Sequence, residues 1–104
     1  MTFVCLEYLS MERCDALSEE ERSALEHDSV AYDQELAEQG VLADAVLLAP
    51  DKTTVPADAN IRENLVGYLI IRVDSLKEAQ KIAERIPIVS YGRVEVRPVI
   101  SSLS

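Results

Sequence analysis

Residues 63–100, ENLVGYLIIRVDSLKEAQKIAERIPIVSYGRVEVRPVI, decide the fold because a strand, a helix and a second strand follow one another there. The segment ENLVGYLIIRV is the most apolar in the chain and predicts a strand. Ser75 and Glu78 then form a capping-box pattern, which predicts a helix that Pro87 ends. The apolar positions of this helix recur at helical spacing and predict its buried stripe: Leu76, Ala79, Ile82, Ala83 and Ile86. After the connection IVS, the alternating residues 91–100 predict the second strand.

The first half of the chain begins with the same order of elements. TFVCLEYL, residues 2–9, predicts a strand. After the polar connection SMERCDA, Ser18 and Glu21 form another capping box. Gly40 supplies the left-handed residue that commonly closes a helix, so we expect this first helix to run to about Gln39. Its apolar stripe consists of Leu25, Tyr32 and Leu36. The flank of that stripe consists of Leu17, Ala24 and Ala31.

Two further segments complete the order of elements. VLADAVLLAP, residues 41–50, predicts a strand ended by proline, and DKTTVPADAN, residues 51–60, predicts a loop. The resulting order of strand, helix, strand, strand, helix, strand is typical of a ferredoxin-like α+β sandwich. We therefore predict a single domain over residues 1–104 in which both helices cover one face of an antiparallel sheet. The other face of the sheet is left open.

The strand within residues 63–73 places apolar side chains on both faces of the sheet, whereas a one-sided antiparallel sheet alternates apolar and polar residues. The apolar residues are Leu65, Val66, Tyr68, Leu69, Ile70 and Ile71. The simplest cover for the open face is the same face of a second copy, so we predict a homodimer packed sheet to sheet. A lipid or another hydrophobic ligand on a monomer is the alternative cover.

The last strand carries three residues that bear on this interface. Pro98 has no amide to donate, so we expect its strand to lie at a sheet edge or to change partners there. Glu95 and Arg97 are two residues apart and share one face of the strand. They form either an ion pair beside the dimer interface or half of a polar cavity between the sheets.

The net charge of −9 is concentrated in the first half of the chain. Residues 1–50 have a net charge of −10, whereas residues 51–104 have a net charge of +1. This acidity indicates a solvated helix face or a proteome adapted to salt, and it argues against nucleic-acid binding and anionic membranes as partners. Cys5 and Cys14 have neither metal-ligand nor disulfide-framework spacing, and the chain opens without a signal-peptide pattern. We therefore expect a cytoplasmic protein with reduced thiols.

Residues 63–100 resemble the YCII-related proteins, in particular their DGPF branch. The resemblance lies in Gly67 and Tyr68, in the helix entry DSLKEA, in the helix end RIP and in the closing YGRVEVRPV. The first half matches more loosely through LSEEER and the end of the first helix. The resemblance implies a ferredoxin-like protomer, a sheet-to-sheet dimer of the dimeric α/β barrel kind, and a small-molecule pocket between the sheet and the first helix. The signature that names the branch is replaced here by VPAD, residues 55–58, in a shortened hairpin. The resemblance therefore does not imply what this hairpin contributes to the rim of the pocket.

Three residues of the first helix are candidates for proton transfer. Some YCII-related proteins resemble enzymes that pair a histidine on this helix with an aspartate, and this chain offers His27, Asp28 and Asp33. On a helical projection His27 lies about 200° from Leu25, which predicts an exposed histidine, whereas Asp28 lies about 60° from it. Counted back from Gly40, the histidine position of the family falls nearer to Ser29. One histidine does not make a zinc site, so we expect neither metal nor cofactor.

Gly67 is the unusual glycine, because a glycine inside a strand marks a bulge or a close approach by backbone or ligand. Its neighbour Tyr68 projects a hydroxyl either into a cavity or into the dimer interface. The residues that we expect at a ligand pocket or at the dimer interface are Tyr32, Gly67, Tyr68, Tyr91, Glu95 and Arg97.

Two functions of different classes fit these patterns. The first is a homodimer that binds a small organic molecule between the sheet and the first helix, with acid/base elimination or isomerisation as its chemistry if it is an enzyme. The second is a non-catalytic dimer that serves regulation or assembly. A perturbed carboxylate in a cleft is the feature that distinguishes the two.

Overall fold

The computed structural model describes residues 1–101 and has the order of elements that the sequence predicts, with one additional short helix. The elements in chain order are β1 (Thr2–Ser10), α1 (Met11–Ala16), α2 (Glu19–Glu38), β2 (Leu42–Leu47), β3 (Glu63–Arg72), α3 (Leu76–Glu84), a 3-10 turn (Pro87–Ser90) and β4 (Arg93–Pro98).

The strands form one antiparallel sheet in the order β2-β3-β1-β4. The two central strands, β1 and β3, pair with each other along their length, and β2 and β4 lie at the edges. Pro98 therefore lies in an edge strand, as predicted, where its missing amide costs no hydrogen bond to a further strand.

The start and end of α2 follow the predicted capping pattern. The Ser18 hydroxyl accepts from the amide of Glu21 at 3.1 Å, and the Glu21 carboxylate accepts from the amide of Ser18 at 3.0 Å. Gly40 closes the helix with a φ of +76°, a conformation that favours glycine. These local contacts satisfy backbone groups that a helix end leaves without an intrahelical partner.

The second capping box forms only in part. The Ser75 hydroxyl accepts from the amide of Glu78 at 3.2 Å, as predicted. The Glu78 carboxylate, however, accepts from the amide of Asp74 rather than from that of Ser75, at 3.0 Å. Asp74 lies one residue further from the helix, so the carboxylate still ties down the chain that enters α3.

The core lies between the sheet and the helices. Its buried residues come from alternate positions of β1 and β3 and from one stripe of each long helix, and they are Phe3, Cys5, Leu9, Leu17, Tyr32, Leu36, Leu69, Ile71, Ala79, Ala83, Ile86 and Ile88. Leu25 and Ile82 pack against this core while partly exposed.

Three residues of the predicted stripes are exposed. Leu76 is the first residue of α3, and the buried stripe begins one turn later at Ala79, so the Leu76 side chain is 54% exposed. Ala24 and Ala31 of α2 are exposed, so the buried stripe of that helix is narrower than predicted.

The polar connection SMERCDA forms a helix, α1, that the sequence pattern did not predict. The Ser10 hydroxyl caps it by accepting from the amide of Arg13 at 3.0 Å. Because none of its residues is buried, α1 has no apolar periodicity that would identify it in the sequence.

Candidate functional site

Glu7 is a carboxylate on the face of the sheet that the helices cover. It follows Phe3 and Cys5 at alternate positions of β1, and both of those residues are fully buried. Burial, and to a smaller extent the charge of Asp33, raise the pKa of Glu7 to about 7 from its ordinary value of 4.5. A half-buried carboxyl group that titrates near neutral pH is able to donate and to accept a proton under physiological conditions.

Asp33 approaches Glu7 from α2. It follows the buried Tyr32 on the helix and is itself half-buried. Burial also raises the pKa of Asp33. The structure thus brings one acidic residue from β1 and one from α2 near each other, and the charge of Asp33 disfavours ionisation of Glu7.

Gly67 lies beside Glu7 in the neighbouring strand. It pairs with Glu7 across β1 and β3, directly where the register of the two strands shifts by one residue. A Cβ atom at this position would lie 2.5 Å from the Val46 carbonyl oxygen and 3.5 Å from Oε2 of Glu7. Both predictions for this glycine, a bulge or a close backbone approach, are therefore confirmed together.

The sheet is uncovered on the β2 side of this carboxylate pair. Leu47 pairs with Gly67 in the same row of the sheet, yet it is 72% exposed. Ala45, on the same face of β2, is exposed as well. Leu47 and Ala45 therefore lie at the exposed edge of this face, whereas Gly67, between Glu7 and Leu47 in the row, is buried.

Cys5 lies one alternate position before Glu7 and is fully buried. Burial, together with the charge of Glu7, raises the pKa of its thiol to about 11. Cys5 is therefore an uncharged thiol that packs as a small apolar side chain, as the sequence predicts.

His27 and Asp28 lie on the solvent side of α2. Their side chains are 85% and 67% exposed, and Nδ1 of His27 lies 3.6 Å from Oδ1 of Asp28. The exposed histidine agrees with the helical projection. The projection also predicted that Asp28 would lie near the sheet, but its side chain is exposed. The reason is that α3 covers this flank of α2 only further along, where the Ile82 carbonyl meets Tyr32 and Arg85 meets Glu35.

Tyr32 and Tyr91 pack in or against the core of the protomer. The Tyr32 hydroxyl donates to the Ile82 carbonyl at 2.7 Å and so ties α2 to α3. The guanidinium of Arg85 lies 5.0 Å from the centroid of the Tyr32 ring. Tyr91 is half-buried against the core and follows the 3-10 turn.

The open face of the sheet carries apolar residues in the centre and charged residues along β4. Tyr68 and Ile70 from β3 lie there with Val4 and Leu6 from β1, and all four are half-buried. A shallow groove of about 750 Å³ crosses this face between the sheet and the end of the chain that follows β4. Tyr68 therefore lines the open face, away from Glu7.

Glu95 and Arg97 share the open face with Arg93, as the alternation predicts. Arg93 binds Glu63 at 2.7 Å and Glu95 at 3.2 Å, and its guanidinium lies 4.4 Å from the centroid of the Tyr8 ring. Nε of Arg97 lies 3.9 Å from Oε1 of Glu95, and the Arg97 side chain is 67% exposed. Since solvent-exposed ion pairs contribute little stability, these contacts orient the side chains more than they hold the sheet together.

Glu7 is the residue that the sequence analysis missed. Its signal was the alternation of β1, in which Phe3, Cys5, Glu7 and Leu9 fall on the buried side and one of the four is acidic. A carboxylate at an inward-facing position is expensive to bury, so Glu7 is as strong a candidate from the sequence as the acids of the first helix.

The described part of the chain offers neither a metal cluster nor a membrane-spanning helix. Within residues 1–101, no three His, Cys, Asp or Glu side chains are grouped so that they could hold a metal ion. None of the helices in that part of the chain is both long and apolar enough to span a bilayer.

The antiparallel sheet and the two helices packed on one of its faces define a ferredoxin-like α+β protein. The family model of the YCII-related domain matches residues 1–102, so the chain belongs to the YCII-related family. A comparison with curated proteins gave no match.

Among solved structures, the chain is similar to the 5-chloro-2-hydroxyhydroquinone dehydrochlorinase (TftG) from Burkholderia phenoliruptrix AC1100, in complex with 2,5-dihydroxybenzoquinone. The match has a TM-score of 0.65 and covers 98% of this chain and 96% of that chain. Because only 13% of the residues are identical, it establishes a shared fold.

Proposed function

We propose that this protein binds a small organic molecule between β1, β3 and α2, and that Glu7 exchanges a proton with that molecule. The observation that carries the proposal is the half-buried Glu7 carboxyl group on the helix-covered face, with a pKa of about 7. Perturbed carboxyl groups of this kind are concentrated at functional sites.

The neighbours of Glu7 support the proposal through a second acidic group and an exposed edge of the same sheet face. Gly67 places no side chain beside the carboxylate, and its partner Leu47 in the same row is exposed at the edge of the sheet. Asp33 of α2 holds the Glu7 proton more tightly through its charge. In the proposed complex, the ligand contacts both carboxyl groups and the apolar residues beside them.

The chemistry that fits this pair is acid/base elimination or isomerisation. In an elimination, the ionised Glu7 accepts a proton from carbon, a double bond forms, and the leaving group departs from the adjacent carbon with its electron pair. In an isomerisation, Glu7 accepts a proton from one carbon and returns it to another. A base with a pKa near the working pH is efficient in both, because both protonation states are populated.

We further propose that the protein is a homodimer whose open sheet faces pack against each other. The half-buried Val4, Leu6, Tyr68 and Ile70 form one apolar surface on the side of the sheet opposite to the helices. Monomeric proteins seldom leave such a surface in water. The same surface supports the second candidate function, a non-catalytic dimer for regulation or assembly.

A ligand screen by NMR tests the proposed site. The probes are 2,5-dihydroxybenzoquinone, which is the ligand of the structural neighbour, and a panel of small hydroxylated cyclic compounds. We expect at least one compound to shift the resonances of Glu7, Asp33 and Gly67, and Glu7→Gln to weaken its binding by about tenfold or more.

Glu26→Gln is the matched control, because Glu26 is an exposed glutamate of α2. It should bind the compound as the unmodified protein does. If none of the compounds disturbs these resonances, or if Glu7→Gln binds as well as Glu26→Gln, the proposed site is wrong and the non-catalytic dimer becomes the leading candidate.

A further inference from the structure

The register of the sheet places four residues in one row across the open face. Asp44 of β2 pairs with Ile70 of β3, Ile70 pairs with Val4 of β1, and Val4 pairs with Arg97 of β4. Partners in an antiparallel sheet present their side chains on the same face, so all four point away from the helices. We call these residues the Asp44–Arg97 row.

This row has an acid at one edge of the sheet and a base at the other. Asp44 is the charged residue of β2, since the remaining residues of Leu42–Leu47 are apolar. Its carboxylate accepts from the amide of Ala45 at 2.9 Å, and no basic side chain among residues 1–101 pairs with it. Ile70 and Val4 supply the apolar centre of the row.

Arg97 is the most available cation of β4. Its closest carboxylate contact, with Glu95, is 3.9 Å long, whereas Arg93 is held by both Glu63 and Glu95 at shorter distances. The Arg97 side chain is also 67% exposed. One edge of the open face therefore presents an acid that forms no ion pair among residues 1–101, and the other edge presents a loosely held base.

Two copies of the sheet pack face to face in one of two ways about a twofold axis that lies between them. An axis parallel to the strands places β2 of one copy over β4 of the other, at the same level along the strands. An axis perpendicular to the strands places β2 over β2 and β4 over β4. A closed dimer of identical chains has one such axis, and each contact between the copies therefore occurs twice.

Only the parallel axis makes the row complementary to itself. Asp44 then lies over Arg97 of the second copy, and Ile70 lies over Val4 of the second copy, so charges and apolar groups both find matching partners. Packed sheets lie about 10 Å apart, a separation that an aspartate and a long arginine side chain span together. With the perpendicular axis, Asp44 faces a β2 strand that has no basic residue.

We propose that the homodimer has its twofold axis parallel to the strands and is held in register by two symmetric Asp44–Arg97 ion pairs between the copies. This inference rests on the sheet-to-sheet homodimer of the proposed function and adds its orientation. Complementary charges at the rim of an apolar interface fix register and exclude other pairings more than they add affinity.

Charge reversal and mixing of variants test the orientation. Asp44→Arg places two arginines against each other at each contact, and Arg97→Asp places two aspartates there. We expect each single variant to raise the dimer dissociation constant by about tenfold or more in sedimentation equilibrium at low salt, and the double variant to restore it. A mixture of the two single variants should form a heterodimer, because the introduced arginine of one then faces the introduced aspartate of the other.

Asp28→Arg and Lys77→Asp are the matched controls, since they introduce an arginine and an aspartate at exposed positions of α2 and α3. They should leave the dissociation constant unchanged. A monomeric unmodified protein would overturn the proposed homodimer itself, together with the inference that rests on it. If the unmodified protein is a dimer but the single variants associate as tightly as the controls, or the double variant fails to restore association, the parallel axis alone is overturned.

Discussion

The Oε2 atom of Glu7 lies 3.5 Å from the point that a Cβ atom of residue 67 would occupy, and residue 67 is a glycine. The same point lies 2.5 Å from the Val46 carbonyl oxygen, closer than a carbon atom and a carbonyl oxygen approach each other. The absence of a side chain at residue 67 therefore allows three strands to close around the Glu7 carboxyl group.

Gly67→Ala should destabilise the protein and disturb Glu7 together. The added methyl group forces the backbone of β2 away from β3, and overpacking of this kind costs about 1–3 kcal/mol in the free energy of unfolding. We expect urea denaturation to show that loss and NMR titration to show a changed pKa for Glu7.

Gly40→Ala is the control for this change. Its Cβ atom meets open space, but the positive φ makes any side chain there costly by about 1–2 kcal/mol. It should therefore lower stability without altering the titration of Glu7. An equal effect of both variants on Glu7 would mean that the space beside Gly67 is unimportant for the carboxyl group.

Glu7→Gln should stabilise the protein at alkaline pH and have little effect at acidic pH. The folded protein holds the Glu7 proton up to a pKa of about 7, whereas the unfolded chain releases it near 4.5, so ionisation of Glu7 opposes folding as the pH rises between these values. One pKa unit corresponds to about 1.4 kcal/mol, and partial solvent exposure reduces the effect, so we expect a gain of about 2 kcal/mol at pH 8.

The measurement is the free energy of unfolding of both proteins in urea at several pH values from 4 to 8. The difference between them should be small at pH 4, increase through pH 6 and level off above pH 7. A difference that stays constant over this range would show that Glu7 has an ordinary pKa in the folded protein.

Asp33→Asn should lower the pKa of Glu7 while leaving it above the ordinary range. The charge of Asp33 is the smaller of the two causes of the raised pKa, and burial of Glu7 persists in the variant. Carbon-detected NMR titration of the Glu7 carboxyl group measures the shift directly. Asp28→Asn serves as the control because Asp28 is exposed on the same helix, and identical titrations of Glu7 in both variants would exclude a contact between Glu7 and Asp33.

The sequence predicts the fold well because its strongest signals are local. The Ser18 and Glu21 capping box, the left-handed Gly40 and the apolar runs of the two central strands each act within a few residues, and the structure has all of them. Helix α1 is the exception. It is short and buries no side chain, so the sequence shows no apolar periodicity that would predict it.

The candidate site is harder to predict because it depends on which elements cover which positions. The helical projection treats all turns of α2 alike, but α3 covers its flank at Tyr32 and Glu35 and not one turn earlier, at Asp28. The inward position of Glu7 is readable from the alternation of β1, whereas its raised pKa arises from burial and from the charge of Asp33.

Ile70→Asp should break the proposed homodimer without unfolding the protomer. Ile70 lies on the open face of β3 and is half-buried in the single chain, so an aspartate there still reaches water when the protein is a monomer. In a sheet-to-sheet dimer the same carboxylate would be buried against apolar side chains without a partner, at a cost of several kcal/mol. Sedimentation velocity at micromolar concentration should show a dimer for the unmodified protein and a monomer for the variant, with circular dichroism unchanged. Val30→Asp, at an exposed apolar position of α2, should remain a dimer, and an Ile70→Asp protein that also stays a dimer would mean that another surface forms the interface.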